Sequence, residues 1–299
     1  MPLAVYPKCF LEAMVVERTM TIDDWIQLVV RDLDVDGLEL HPGFTPEDPG
    51  ERRRLREVLG ENGLSAPMMC PAPDFIHRQP ERRAVEVAAQ KRAIEATAAM
   101  GGGFCRVLSG QWKPDIGRAD GLKMAADAIA ECVPFAARNG VCLVLENHYK
   151  ASLWRYPDFA RRREDFLELL ARIPPGPNFD VNFDPSNAII AGDDPIELLE
   201  AVKGRLVTMH ASDRYFEGGG VEDLRRLDRD PRHGYAPFLR HGVIGRGCID
   251  YDRVFGILRA IGFTGWISIE DGDDPRVGMT HLRESADFLR GKMAVYGLP

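Results

Sequence analysis

The chain has 299 residues, 45 % of them hydrophobic and 28 % charged, enough apolar material for one large core or two average domains. Its net charge of −8 argues against a partner held through a phosphate backbone, which requires a basic stripe. The arginine clusters Arg52–Arg54 and Arg161–Arg163 have acidic neighbours at helical spacing and read as solvated helix faces.

Short apolar runs alternate with longer amphipathic stretches from the first residues onward. Leu3–Lys8 reads as a strand and Ile22–Asp32, behind a capping Thr21, as a helix. Gly37–His41 and Leu64–Cys70 read as strands, with a helix over Glu51–Asn62 between them. A helix over Pro80–Met100, a strand over Phe104–Leu108, a helix over Arg118–Asn139 and a strand over Val141–Glu146 follow. The pattern continues with a helix over Pro157–Arg172, a strand over Phe179–Asp184, a helix over Pro195–Val202 and a strand over Leu206–His210. Tyr251–Ile261, a helix capped by Asp250, the strand Trp266–Glu270 and the helix Met279–Ala294 close the series. Gly63, Gly101, Gly140 and Gly262 follow helical runs, where a left-handed terminus favours glycine. Strands this apolar are expected to be buried on both faces of a parallel sheet. Eight of them alternating with eight helices predict one (β/α)8 TIM barrel over residues 1–299. The competing open doubly wound sheet would carry a glycine-rich phosphate turn after its first strand, and none follows Leu3–Lys8.

One connection breaks the rhythm. After His210 the chain runs through Ala211–Gly247, holding Gly218-Gly219-Gly220, the charged segment Glu222–Arg232 and His233-Gly-Tyr-Ala-Pro. So long a loop on the rim of a barrel reads as an active-site lid or a docking insertion. The six cysteines are scattered without a Cys-x-x-Cys pair, as in a reduced, cytoplasmic protein. The N-terminus lacks the apolar core of a signal peptide, and no apolar run is long enough to span a bilayer.

Four successive strands end in side chains that bind metals: Glu146, Asp184, His210 and Glu270. Each alone is ordinary, as a strand-end carboxylate in a salt bridge, a turn starter before Pro185, or a structural histidine. In a barrel of parallel strands all four reach the same rim, where three carboxylates and an imidazole would repel or be stranded without a cation. A divalent metal ion is therefore expected there. Three oxygen ligands and one nitrogen favour Mn²⁺, with Mg²⁺, Co²⁺ and Zn²⁺ also compatible.

The order of Leu-Glu-Asn at Glu146, Asp-Pro-Ser-Asn at Asp184, His-Ala-Ser-Asp at His210, Gly245-Arg-Gly-Cys-Ile-Asp-Tyr and Gly265-Trp-Ile-Ser-Ile-Glu resembles the xylose-isomerase-like TIM-barrel superfamily, and within it the sugar phosphate isomerase/epimerase branch. The resemblance implies that Glu146, Asp184, His210 and Glu270 ligate one divalent cation, and that Glu146 and Glu270 exchange protons with adjacent carbons of a keto-sugar. The implied activity is isomerisation or epimerisation by proton abstraction next to a carbonyl, through a metal-stabilised enediolate. Two departures point to an alternative, a metal-dependent lyase that cleaves an oxidised glycoside or dehydrates a cyclitol by β-elimination. Asn187 stands where the epimerases typically carry a second histidine, and His148 stands two residues past Glu146, facing the same side as a proton shuttle. The lyase reading allows a small partner subunit on the insertion, and such barrels often assemble as homo-oligomers. A related DNA-repair endonuclease would need more than the chain's seven histidines and a basic groove.

The remaining rim candidates for substrate contact are His41, His77, Trp112, Asn187, Asp213 and Arg214. Asp213 is the candidate to orient His210 or the insertion, because a metal-bound imidazole commonly has a carboxylate behind it.

Overall fold

The structure, a computed structural model, describes residues 1–298 except 152, 153, 231, 233 and 273, so His233 lies outside the described residues. The strands are β1 (Leu3–Val5), β2 (Gly37–Leu38), β3 (Met68–Met69), β4 (Phe104–Val107), β5 (Cys142–Glu146), β6 (Phe179–Phe183), β7 (Leu206–Ala211), β8 (Asp213–Phe216), β9 (Leu239–Gly242) and β10 (Trp266–Ile269). Eight of them form one sheet in the order β2-β1-β10-β7-β6-β5-β4-β3, every neighbouring pair parallel. Parallel bridges Gly37↔Ser65 and Leu40↔Met69 join its two edges and close the barrel. The strands over Gly37–His41 and Leu64–Cys70 are shorter than predicted because the ladder at this seam survives only as those isolated bridges. Leu3, Val5, Leu38, Val107, Leu143, Val181 and Ile267 are fully buried, as runs without polar alternation require.

The helices are α1 (Ile22–Asp32), α2 (Pro49–Glu61), α3 (Pro80–Ala99), α4 (Arg118–Arg138), α5 (Arg163–Arg172), α6 (Pro185–Ile190), α7 (Pro195–Val202), α8 (Val221–Leu227), α9 (Tyr251–Ala260) and α10 (Gly278–Tyr296). Thr21 caps α1 in a reciprocal box with Asp24, and Asp250 caps α9 through the Arg253 amide. None of these helices is long and apolar enough to cross a membrane.

Three expectations are corrected. The helix predicted over Pro157–Arg172 begins only at Arg163, because the backbone amides of Asp158 and Phe159 are spent on Tyr149 O and Gly110 O, tying this loop to the rim. A short helix, α6, follows Asp184 directly, because its carboxylate accepts the Ser186 and Asn187 amides. The cluster Arg161–Arg163 is not a solvated face: Arg161 is buried, and with Arg162 it grips the buried carboxylate of Asp228, with Arg161 Nε 2.5 Å from Oδ1. Arg162 and Arg163 are both partly exposed, and Arg163 pairs with Glu197.

The insertion of residues 211–247 is folded. β8 and β9 pair antiparallel from Asp213↔Gly242 to Phe216↔Leu239, and α8 lies between them in sequence, so the charged segment is partly helical. Besides Asp228, two phenols hold it to the loop after β5: Tyr149 Oη donates to Gly234 O (2.9 Å) and Tyr235 Oη to Lys150 O (2.7 Å).

Removing a partner of a buried ion pair leaves an uncompensated charge, at a cost of about 3–5 kcal/mol. Asp228→Ala, which strands two guanidiniums, is predicted to raise hydrogen exchange in α8 and β9 while the barrel strands stay protected. Unchanged exchange in α8 would show that this contact does not anchor the insertion.

Candidate metal centre

β5, β6, β7 and β10 are adjacent in the barrel and run in one direction, so their C-terminal ends deliver Glu146, Asp184, His210 and Glu270 to one spot. One donor atom from each lies within 4.8 Å of the other three, and all four side chains are buried. The three carboxylates repel one another where little water can screen them.

The surroundings compensate. Arg106, which points inward from β4, donates Nη1 to Glu146 Oε2 at 3.0 Å and hands its other nitrogens to Pro71 O and Cys70 O. Lys8 Nζ donates to Glu270 Oε1 at 2.9 Å. Burial pushes Glu146 upward, but the His210 and Arg106 charges outweigh it and hold the carboxyl at about 2. Burial likewise opposes ionisation of Glu270, and Lys8 with His210 holds it well below the usual carboxylate range. Asp184 has no such cation; burial and the two glutamates push it up to about 6.

His210 is the centre of the set. Its Nε2 lies 3.0 Å from Glu39 Oε2, and Glu39 is itself bonded by Ser268 Oγ and by Cys70 Sγ (3.3 Å). Its Nδ1 lies 2.7 Å from Glu270 Oε2 and 3.4 Å from Glu146 Oε2. Yet this buried Nδ1 makes no geometrically sound hydrogen bond. A buried nitrogen without a partner, facing carboxylate oxygens and backed by a carboxylate on the opposite ring nitrogen, fits a divalent cation ligated through Nδ1.

The carboxylates are also held from behind. Asn187 Nδ2 bridges Glu146 Oε1 (3.1 Å) and Asp184 Oδ2 (2.9 Å), and its Oδ1 accepts the Tyr149 amide. Asn147 clamps the Asp184 backbone through both N–H and C=O, and Ser212 Oγ donates to Asp184 Oδ1 at 2.7 Å. Asn187, expected as a substrate contact, therefore spends its amide on the ligands.

His148 is buried beside this cluster. Burial lowers it to about 4, so its ring is neutral at pH 7. His41 has its Nδ1 occupied by the Gly43 amide at 2.9 Å, leaving Nε2 for other partners. His77 is braced between its own loop and the one after β4, its ring nitrogens 3.4 Å from Asp74 Oδ2 and 3.1 Å from Lys113 Nζ. Trp112 packs edge-on against Tyr156 at 5.7 Å.

Asp213 does not orient His210; Glu39 has that position. Asp213 turns the other way, and its carboxylate accepts the amides of Arg214, Gly245, Gly247 and Ile249, which shapes the return of the insertion. Gly245 has φ 85°, and a Cβ at Gly247 would collide with that carboxylate, so both positions require glycine. Arg214 is buried, and its Nε has no hydrogen-bond partner among the described residues.

Lys8, Glu39 and Arg106 were not among the sequence-predicted site residues. Arg106 did carry a signal, since a charge inside the apolar run Phe104–Leu108 must find a partner once both faces are buried.

The family model for a xylose isomerase-like TIM barrel matches residues 28–292. An inosose dehydratase of Geobacillus kaustophilus (strain HTA426) is 25 % identical over 240 residues, 79 % of this chain and 66 % of the relative, so the match spans just under two thirds of that protein. Among solved structures, a D-tagatose 3-epimerase-like protein superposes with TM-score 0.75 at 19 % identity, covering 99 % of this chain and 98 % of the other. The IOLI protein with a bound zinc atom superposes equally well, TM-score 0.75 at 18 % identity over 99 % of both chains.

Two measurements test the centre. Mn²⁺ at about a hundred times its dissociation constant should stabilise the protein by roughly 2.7 kcal/mol, an upward shift in Tm that Asp184→Ala erases. A wild-type Tm indifferent to Mn²⁺, Mg²⁺, Co²⁺ and Zn²⁺ would refute the site. Glu39→Gln should weaken Mn²⁺ binding about 10–100-fold by calorimetry, the usual cost of losing a partner behind a metal-bound histidine.

Proposed function

Because the chain belongs to the xylose isomerase-like TIM-barrel family, we propose that it is a divalent-metal-dependent enzyme that removes the proton next to the carbonyl of a keto-polyol and then expels the β-hydroxyl as water. The substrate class is a keto-cyclitol or a 3-oxo-sugar. The observation that carries this reading is the division of charge around the centre. Both glutamates are pinned to cations, Glu146 to Arg106 and Glu270 to Lys8, which keeps them ionised and makes them weak bases. His148 is the neutral imidazole beside them. Neither glutamate is free of its cation, and His148, neutral and not ion-paired to one, is better suited to accept the proton than either.

A bound divalent ion would act as a Lewis acid toward the negative charge that develops on the carbonyl oxygen. The chain's own groups do the rest. Glu146, Asp184, His210 and Glu270 hold the ion, and Asn187 and Glu39 hold those ligands. His148 Nε2 takes the proton from the carbon next to the carbonyl. The electron pair left behind forms a carbon–carbon double bond as the β-hydroxyl departs, and the proton on His148 leaves with it as water. The imidazole returns neutral, and the product is an unsaturated ketone. The inosose dehydratase among the relatives supports this outcome.

Epimerisation is the second reading. Glu146 and Glu270 reach His210 Nδ1 from two different strands, and two carboxylates at one site supply the pair of groups that removing and returning a proton requires.

Proton NMR in D₂O of the metal-loaded protein with an inosose, a 3-oxo-glucoside and a panel of ketoses separates these. Loss of water to an enone supports dehydration, and deuterium incorporation with sugar epimers supports epimerisation. Under the dehydratase reading His148→Gln should slow turnover by about 10²–10⁴-fold, whereas an enzyme using only the two glutamates would be little changed. Full activity of His148→Gln would end the dehydratase assignment.

A further inference from the structure

We propose that Asp158 is a positioning residue for His148, the two forming a buried carboxylate–imidazole dyad that fixes the ring with its proton on Nδ1 and its lone pair on Nε2. The inference deepens the assignment of His148 above and rests on it only for its catalytic consequence. His148 Nδ1 and Asp158 Oδ2 face each other at 4.0 Å, and both are buried without a hydrogen-bond partner. Each unsatisfied buried polar atom is costly, and an approach of about 1 Å would satisfy both at once.

The carboxylate is held for this purpose. Its Oδ1 accepts from Ser109 Oγ and from the Ala160 amide (2.9 Å), which leaves Oδ2 as the free acceptor. The Asp158 backbone is tied to the His148 strand end, its amide donating to Tyr149 O at 2.6 Å. On the other side, Trp154 meets the imidazole edge-on, ring centroids 5.9 Å apart, and restricts its rotation. Among the described residues no group bonds His148 Nε2. With Asp158 ionised, a proton on Nδ1 is the arrangement in which the buried pair is satisfied and the remaining lone pair faces away from Asp158 as a base.

This placement also explains why the chain departs from helix before Arg163. The turn through Asp158 and Phe159 brings the carboxylate over the ends of β4 and β5, and Gly121 on α4 makes room for it. A Cβ there would collide with the Phe159 ring.

Long-range ¹H–¹⁵N correlation of the histidine rings tests the dyad without any substrate, in the metal-free and Mg²⁺-loaded protein. We expect His148, assigned by its loss in His148→Gln, to show the Nδ1–H tautomer in wild type. In Asp158→Asn the tautomer should shift or average, and Asp158→Glu should restore it in part. A wild-type ring protonated on Nε2, or a tautomer untouched by Asp158→Asn in a protein of unchanged Tm, would overturn the proposal. With whichever keto-substrate turns over, Asp158→Asn should lower kcat by about 10²-fold with KM nearly unchanged, and Asp158→Glu should recover part of the loss. A ring of the expected tautomer in a protein that turns over none of the keto-substrates would uphold the dyad and count against the dehydratase reading alone.

Discussion

Three carboxylates converge where none is more than 5 % exposed, and the rest of the barrel mouth is organised around that repulsion. Burial alone would push all three toward the neutral acid. Arg106 and Lys8 neutralise two of them from outside the cluster, and His210 sits among them with Glu39 behind it. The seam of the barrel is drawn into the same arrangement. Glu39 follows β2 and Cys70 follows β3, so the Cys70 Sγ–Glu39 contact behind His210 crosses the place where the strand ladder is thinnest.

The parts of this design that were legible in the sequence share one property: they lie at the ends of periodic elements. A parallel barrel gives every strand end the same address, so Glu146, Asp184, His210 and Glu270 could be grouped without knowing a single distance. Thr21, Asp250 and the glycines after helices were legible for the same reason, since each marks a boundary whose chemistry is local. What stayed hidden depends on contacts between elements far apart in sequence. Lys8 meets Glu270, and Arg161 meets Asp228, across separations that no local pattern encodes. Asp158 was concealed by a correct local signal, because Pro157–Arg172 has helical composition and only the rim contacts of Asp158 and Phe159 override it. Asp213 was legible only as an alternative, to orient His210 or the insertion, and the structure takes the second. It is a buried carboxylate three residues past His210, but glycine turns in the returning chain claim it first.

Structural support and chemistry are divided between the two ends of each loop. Asn147, Asn187 and Ser212 are all polar, all buried, and all spend their hydrogen bonds on the ligand carboxylates or their backbones. Their hydrogen bonds hold the ligands, and satisfaction of that kind is what makes a polar cluster rigid rather than costly. Buried side-chain atoms of His148, Asp158, Arg214 and Asp271, by contrast, have no hydrogen-bond partner among the described residues.

The pair of tyrosines that fasten the insertion has a consequence for how such a protein can diverge. Tyr149 and Tyr235 each bond a main-chain carbonyl, Gly234 O and Lys150 O, so neither contact depends on the side chain at the receiving position. Away from Asp228, Gly234 and Tyr235, substitutions along the insertion can change what its inner surface offers to a ligand without altering these contacts. The two phenol bonds are blind to most of the side chains between them, and a surface fastened in that way can exchange much of its chemistry while its position is inherited.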